Sequence, residues 1–532
     1  MTAGTVTPYR PGQQTGRDGF AQLLRAEWTK FRTIRGWVIG LVVAVLVMLG
    51  LGLFGAVGSN SSCQSTSGGP ARSGQGCSTA NPPVGPGGEA VSDSFYFVRQ
   101  PLAGNGSITV RVTSLTGLIP SRNGAGTGTQ PGLVPWAKAG IIIKASTQPG
   151  SAYAAMMVTA DHGVRMQDNF TGDTAGQSGA VTASDPRWLR LTRSGDTITG
   201  YESADALHWI QVGTVDLAGL PLTVQAGLFA ASPAYMAVTQ SLGGGENGII
   251  APSQDTAVFD HVSRSGTWPA GTWTGDYIGA ADGSGIGGYH QAGGRFTVTG
   301  SGDIAPVVPG QAGGEDLTVT TFLVGTFAGL IAVIVVAAMF ITAEYRRGLI
   351  RTTLIASPRR GRVLAAKAIV IGSVAFAAGL VAAAAAVIIG TQLARGRVYV
   401  FPVSWLTELR MVVGTAALVA VAAVLALAVG TMLRRSAAAV TIVIVVIVLP
   451  YLLGVVSVLP AGAADWVLRI TPAAAFAVQQ AIPHYSQVTA SYSPGSRGDY
   501  FPLAPWAGFA VLCGWAALAV ALALVLLRRR DV

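Results

Sequence analysis

Glu202 and Asp205 lie three residues apart in a stretch that reads as a strand hairpin. A glycosidase built on a β sandwich needs two facing carboxylates about 5–9 Å apart. Nearness in sequence makes these two candidates, and a solvated hairpin surface explains them as well. The five histidines, His162, His208, His261, His290 and His484, have no metal-ligand spacing such as His-Glu-x-x-His. No Gly-x-Ser-x-Gly elbow is present, so the sequence offers no acyl-transfer serine. No Gly-x-x-x-x-Gly-Lys-Ser/Thr loop is present either, so this chain does not hydrolyse ATP in the usual way.

Two charged segments hold more of the chemistry. Between Gly19 and Arg35, the residues Phe20, Leu23, Leu24, Trp28, Phe31 and Ile34 recur at helical spacing, with Arg25, Lys30 and Arg32 off that stripe. This is an amphipathic helix for a membrane interface. Glu27 projects from within the apolar stripe. A bare carboxylate there is costly, so it should pair with a cation or face a partner, or else reach the headgroups. The second segment, Ala343–Lys367, carries seven Lys and Arg residues. Anionic-lipid anchoring uses about 1 kcal/mol per surface cation; docking of a cytoplasmic protein is the sharper reading. Ser357 and Pro358 suit the start of a new helix, which would leave Glu344 to Ile355 as a short helix bent off the preceding span.

These segments must be positioned by the elements around them. Of 532 residues half are apolar and 11% are charged, against about 25% charged in soluble domains. Six uncharged blocks account for the deficit: Trp37–Val57, Leu317–Thr342, Ala368–Ala394, Met411–Leu433, Ser436–Ala464 and Phe501–Leu527. Each is long enough to cross a bilayer as a helix, and backbone in hydrocarbon must bond internally. Residues 58–316 hold 12 Lys and Arg against 18 Asp and Glu, whereas basic residues elsewhere crowd one set of helix ends. The positive-inside rule then places both termini in the cytoplasm and 58–316 outside. The net charge of +10 therefore belongs to a membrane protein and not to a nucleic-acid binder. Uncharged spans lack the buried acids and cations of ion-coupled transporters, so energy for transport would come from a partner. They suit a lipid-like, amphipathic or hydrophobic cargo.

The fold class expected is an all-α membrane bundle of six transmembrane helices plus an inserted extracytoplasmic all-β sandwich. Residues 1–18 read as a disordered N-terminus and 19–57 as interface helix and first span. The Gly/Ser/Pro-rich stretch 58–90 reads as a flexible linker. Short alternating runs over 91–265 read as the sandwich, 266–316 as a Gly-rich hairpin or stalk, and 317–532 as spans two to six with a cytoplasmic loop at 343–367. Cys63 and Cys77 could close a small disulfide loop in an oxidising space, or stay as thiols in a flexible linker. Trp136, Trp188, Trp209 and Tyr201 could stack on sugar rings or pack as core and rim aromatics.

The runs from Trp136-Ala-Lys-Ala-Gly-Ile to Phe259-Asp-His-Val resemble a concanavalin-like sandwich, in which sugar binding is common. Leu24-Arg-Ala-Glu-Trp-Thr-Lys-Phe-Arg-Thr, together with Glu344-Tyr-Arg-Arg-Gly-Leu-Ile-Arg-Thr-Thr-Leu and Ser357-Pro-Arg-Arg, resembles ABC transporter permeases of the second type, in their actinobacterial form. That resemblance covers about 19–57 and 317–530, and the insertion after the first span departs from it. It implies a multi-pass permease of the cell membrane, working as a homodimer or paired permease among membrane lipids. Its partner would be a cytoplasmic ATP-binding cassette ATPase. ATP and magnesium would sit on that ATPase, with no cofactor on this chain. By the same resemblance Glu344, Tyr345, Arg346, Arg347, Gly348, Arg351 and Leu354 would couple to the ATPase. Glu27, Trp28, Lys30, Phe31 and Arg32 would belong to the interface helix. The competing reading is a membrane-anchored glycan-binding or sensing protein without transport.

Overall fold

The computed structural model describes residues 19–65, 81–121, 128–240, 246–279, 285–309, 317–349, 359–395, 398–455, 459, 461–488 and 500–529. An interface helix, Phe20–Thr33, leads through Ile34 into the first span, Arg35–Ser65. The second span is broken into Val319–Leu323 and Thr326–Arg346, and the third is Arg360–Ala394. The fourth, fifth and sixth are Trp405–Leu433, Ser436–Val455 and Pro505–Arg529. All six are apolar and long enough to cross a membrane. The fourth is the centre of the bundle: 67% of its apolar window is buried, against 28% for the first and sixth.

Lipid is as apolar as leucine, so close backbone approach and packing must hold these helices together. The first and second spans show this best. A Cβ on Gly325 would lie 2.2 Å from the Met48 carbonyl oxygen, and one on Gly52 would lie 2.1 Å from that of Phe322. Small residues of the third span, Ala375, Gly379, Ala383 and Ala386, are buried inside the bundle, with Gly379 against Ala416 and Val419 of the fourth span. Between the fifth and sixth spans, Ala461–Ile470 is a short helix and Pro472–Gln479 is a buried 3-10 turn. Gln479 donates to Thr326 (3.0 Å) and Thr415 (3.1 Å) and accepts at its backbone from Thr320 (2.7 Å), so this irregular segment is satisfied by its neighbours. Non-helical backbone at membrane depth is tolerated under that condition.

The insertion is a large antiparallel β domain organised around one 26-residue strand, Phe95–Pro120. Its first half pairs with Thr223–Ala231 and Thr274–Ile278, and its second half with Arg187–Ser194 and Gln254–Thr267. Val98, Leu102, Ile108, Val110 and Val112 thereby reach a single core with Ile141, Leu189, Leu191 and Phe259. Each such side chain contributes about 1.5–3 kcal/mol on burial. The sequence suggested a stalk or hairpin over 266–316. Among the described residues the hairpin is present and is part of the sheet: Thr274–Ile278 joins the long strand, and Gly288–Ala292 and Arg295–Gly300 form a hairpin against Gln254–Thr267. Alternating Phe296 and Val298 reach the core, which explains why this Gly-rich stretch is ordered as sheet.

Strand Lys138–Lys144 is buried on both faces. One face meets the main core. The other carries Lys138, Ile142 and Lys144 under a two-strand strap, Val91–Asp93 paired with Ile304–Pro306. Lys144 Nζ meets Asp93 at 2.6 Å, while Lys138 Nζ meets Asp303 at 2.7 Å and donates to the Ile304 carbonyl at 3.0 Å. Two buried lysines thus fasten the ends of the insertion to its own sheet. The domain rests on the bundle through the loop after the 3-10 turn. Gln487 donates to the Phe170 carbonyl (2.7 Å), Ser486 donates to Asp173 (3.0 Å), and Val488 packs on Ala305 and Val308.

Candidate functional site

At the end of the bundle opposite the β domain, four charged side chains meet. Lys367 Nζ, at the start of the third span, lies 2.7 Å from Glu27 Oε2 of the interface helix and 2.7 Å from Glu344 Oε1 at the end of the second span. Lys30 Nζ reaches the same two carboxylates, at 3.0 Å from Glu27 Oε1 and 3.3 Å from Glu344 Oε1. Glu27 and Lys367 are fully buried and Glu344 nearly so, while the Lys30 side chain is 39% exposed. Two cations and two anions alternate, so the cluster is neutral. An uncompensated buried charge would cost several kcal/mol; here every charge has at least one opposite partner.

Helical geometry explains the meeting. Glu27 and Lys30 are three residues apart and share a face. Glu344 is four residues beyond Phe340, which is fully buried, so its side chain turns inward with that face. Phe340 walls the cluster, with Lys367 Nζ 4.9 Å from its ring centre, and Phe31 and Trp37 pack edge-on against it at 6.0 and 4.9 Å. Burial works against the Lys30 charge, but Glu27 and then Glu344 more than offset it, holding this ammonium above its ordinary range. The result is an ionic knot that ties the interface helix, the second span and the third span into one unit.

A family model described as ABC-2 family transporter protein matches residues 22–532. The chain belongs to that family. As an ABC-2 permease it is a multi-pass membrane component that works with an ATP-binding cassette ATPase. No curated protein matches the chain. Among solved structures, a functionally unknown protein from Saccharomyces cerevisiae is similar at 17% identity, covering 33% of this chain and 76% of that one, with a TM-score of 0.21. The Bacillus licheniformis GH43 protein BlXynB is also 17% identical over 31% of this chain and 28% of its own, with a TM-score of 0.19. Scytalido-glutamic peptidase with a transition state analog inhibitor is 8% identical, covering 41% of the permease and 100% of the peptidase, with a TM-score of 0.23.

The residues singled out in the permease sequence fall into different places. The Glu344 carboxylate, at the end of the second span, engages Lys367 and Lys30. The helix expected to bend off at Glu344 instead continues the second span to Arg346, and Gly348 ends it with a φ of 70°. Arg346, Arg347 and Gly348 are exposed at that end, and Tyr345 is half-buried beneath the Arg434 guanidinium. Arg351 and Leu354 lie outside the described residues. On the interface helix, Phe31 faces the bundle while Trp28 and Arg32 are exposed. Lys367 was missed because it lies one residue before the uncharged block and reads as a flanking charge. The signal in the sequence was Glu27, a carboxylate in an apolar stripe for which a cation was one of the expected partners.

In the β domain, Trp136 is buried and stacked on His162 at 3.9 Å, which excludes it from sugar stacking. Trp188, Tyr201 and Trp209 do gather on one sheet face, since Tyr201 sits opposite Arg190 and Trp188 opposite Arg111. Arg190 covers the Trp209 ring at 3.8 Å, and Arg111 lies 5.7 Å from that of Trp188. Glu202 and Asp205 do not form a facing pair. Glu202 is buried and accepts from the Gln177 amide (2.8 Å), and burial raises its pKa. Asp205 caps its turn, accepting from the backbone amides of Leu207 and His208 (2.8 Å each), which hold its pKa down. Cys77 and the Cys63 side chain lie outside the described residues.

Proposed function

We propose that this ABC-2 permease exports a lipid-like, amphipathic or hydrophobic cargo, driven by an ATPase that docks at the exposed end of the second span and the interface helix. The single observation that supports this reading is the ionic knot. A push delivered to the exposed Arg346–Gly348 turn or to the Trp28–Arg32 face would reach the second and third spans together through Glu27, Lys367 and Glu344. Apolar spans suit an apolar or amphipathic cargo. In this reading both termini are cytoplasmic, the β domain is extracytoplasmic, and two copies of the chain form the pathway.

The glycan-binding anchor without transport rests on Trp188, Tyr201 and Trp209, and arginines already occupy two of those rings, so the permease reading is preferred. Co-purification supplies the test. The chain should bring down an ATPase whose turnover it stimulates, and reversing the charge of Arg346, Arg347 and Arg351 together should reduce that stimulation at least tenfold. Unchanged turnover would remove this docking assignment.

A further inference from the structure

A cavity of about 300 Å³ lies where the β domain meets the bundle. Residues 87–90 and Val307 from the base of the β domain form one wall. Phe401 to Ser404 and Thr407, at the start of the fourth span, form the second, and Ala481, Ile482, Pro483 and Tyr485 form the third. The volume is within the range of small-molecule sites. Among the lining residues Glu89 alone carries a formal charge. Its Oε1 atom is buried and, among the described residues, accepts no hydrogen bond. A buried carboxylate oxygen without a donor is unfavourable, and a cation or strong donor in the cavity would relieve it. Burial first, and the nearby Glu89 charge second, push the Tyr485 phenol up to about 12, so that side of the cavity repels a further negative charge.

The apolar part of the wall comes from Phe401 and Ile482. Trp405 and Leu406, between the lining residues Ser404 and Thr407 at the start of the fourth span, are 71% and 59% exposed. Trp466 and Trp506 are exposed in the same way. Exposed tryptophans at helix ends mark headgroup depth. The cavity therefore opens where an amphiphile would rest, with its head in the polar layer and its tail in hydrocarbon.

We propose that this junction cavity binds an ammonium-bearing amphiphile, its cationic head on Glu89 and its chain along Phe401 and Ile482. The site joins both parts of the protein, so occupancy would bridge the β domain and the fourth span. The ligand chemistry is common to a bilayer lipid with an amine head and to a free alkylammonium compound.

Two binding measurements on the full chain, without any ATPase, separate these sources and stand apart from the transport reading. In the first, labelled dodecyltrimethylammonium is titrated against the chain in alkyl maltoside. Saturable one-to-one binding is expected, displaced by unlabelled ligand and not by dodecyl sulfate. Glu89→Gln should weaken it roughly ten- to hundredfold, as expected for a lost charged contact, whereas Glu408→Gln, outside the cavity, should not. In the second, the chain is extracted from vesicles containing phosphatidylethanolamine or only phosphatidylglycerol and weighed by native mass spectrometry. Glu89-dependent retention of the amine lipid assigns the site to the bilayer; saturable binding in the first arm alone assigns it to a free amphiphile. If Glu89→Gln lowers the thermal midpoint, Ile482→Trp, which fills the cavity and leaves the carboxylate, replaces it. Absence of binding in both arms, or binding indifferent to both variants, overturns the proposal.

Discussion

Lys367 holds two buried carboxylates at once, so its removal should cost more than the loss of an ordinary surface pair. Lys367→Met would leave Glu27 and Glu344 with only the half-exposed Lys30. The expected loss is about 3–5 kcal/mol, seen as a fall in the thermal midpoint of the purified chain. Glu27→Gln combined with Lys367→Met should recover part of it, because one orphaned charge is gone; no recovery would mean that the knot is not one electrostatic unit. In the β domain, Asp255 is fully buried, and burial raises its pKa well above 3.8. The folded state then holds a proton that the unfolded chain releases above about pH 4. Stability is fully present below the ordinary value and is lost as pH rises toward the folded one. Asp255→Asn should raise stability at pH 7 by about 1–3 kcal/mol and flatten that decline, as read by thermal melts between pH 4 and 8. At this scale the sequence was partly legible. Glu27 stood out as a carboxylate that needed a cation, a partner or the headgroups, but which of the flanking cations turns inward depends on helix crossing, and that is a tertiary fact. The inward turn of Glu344 was hidden for the same reason: in a stretch dense with arginines its own register toward Phe340 carried no visible mark.

Elements were far easier to read. Uncharged blocks must become helices in lipid, and strict alternation such as Trp188-Leu-Arg-Leu-Thr-Arg must become a half-buried strand. Two things hid. The Gly-rich stretch near the end of the insertion lacks long apolar runs, yet Phe296 and Val298 suffice to seat it in the core. The break of the second span falls where Gly325 lies against Met48 of a different helix, a contact that no local pattern shows. That crossing is testable. Gly325→Val places a side chain where the Met48 carbonyl oxygen lies 2.2 Å from the new Cβ, and overpacking of this kind costs about 1–3 kcal/mol or more. Gly36→Val, where a Cβ meets nothing within 4 Å, should change the thermal midpoint much less. Equal effects would argue against a tight first–second span crossing.

For the molecule as a whole, the arrangement of two chemically distinct ends was legible and their connection was not. Composition alone separates an acidic β insertion from a basic, apolar bundle. The docking of one on the other runs through Gln487, Ser486 and Val488, in a loop whose composition gives no hint of a partner. The register of Val91 with Pro306 suggests a direct experiment. Deleting 91–306 and joining Ala90 to Val307 should leave a helical bundle that purifies as a single species, with a thermal midpoint within about 10 °C of the full chain. Aggregation of the shortened chain would show that the bundle needs the β domain in order to fold.

Because the strap closes on itself, the insertion begins and ends at neighbouring points. Closing a flexible loop costs entropy that grows with its length, and a connection of more than two hundred residues would otherwise burden the pairing of the first two spans. Once the β domain has folded, the path between those two helices shortens to the segments on either side of the strap, residues 66–90 and 307–318. A passenger of this size can therefore ride between two tightly crossed helices without loosening them, and its replacement by a different passenger with adjacent ends would be topologically neutral for the helices below.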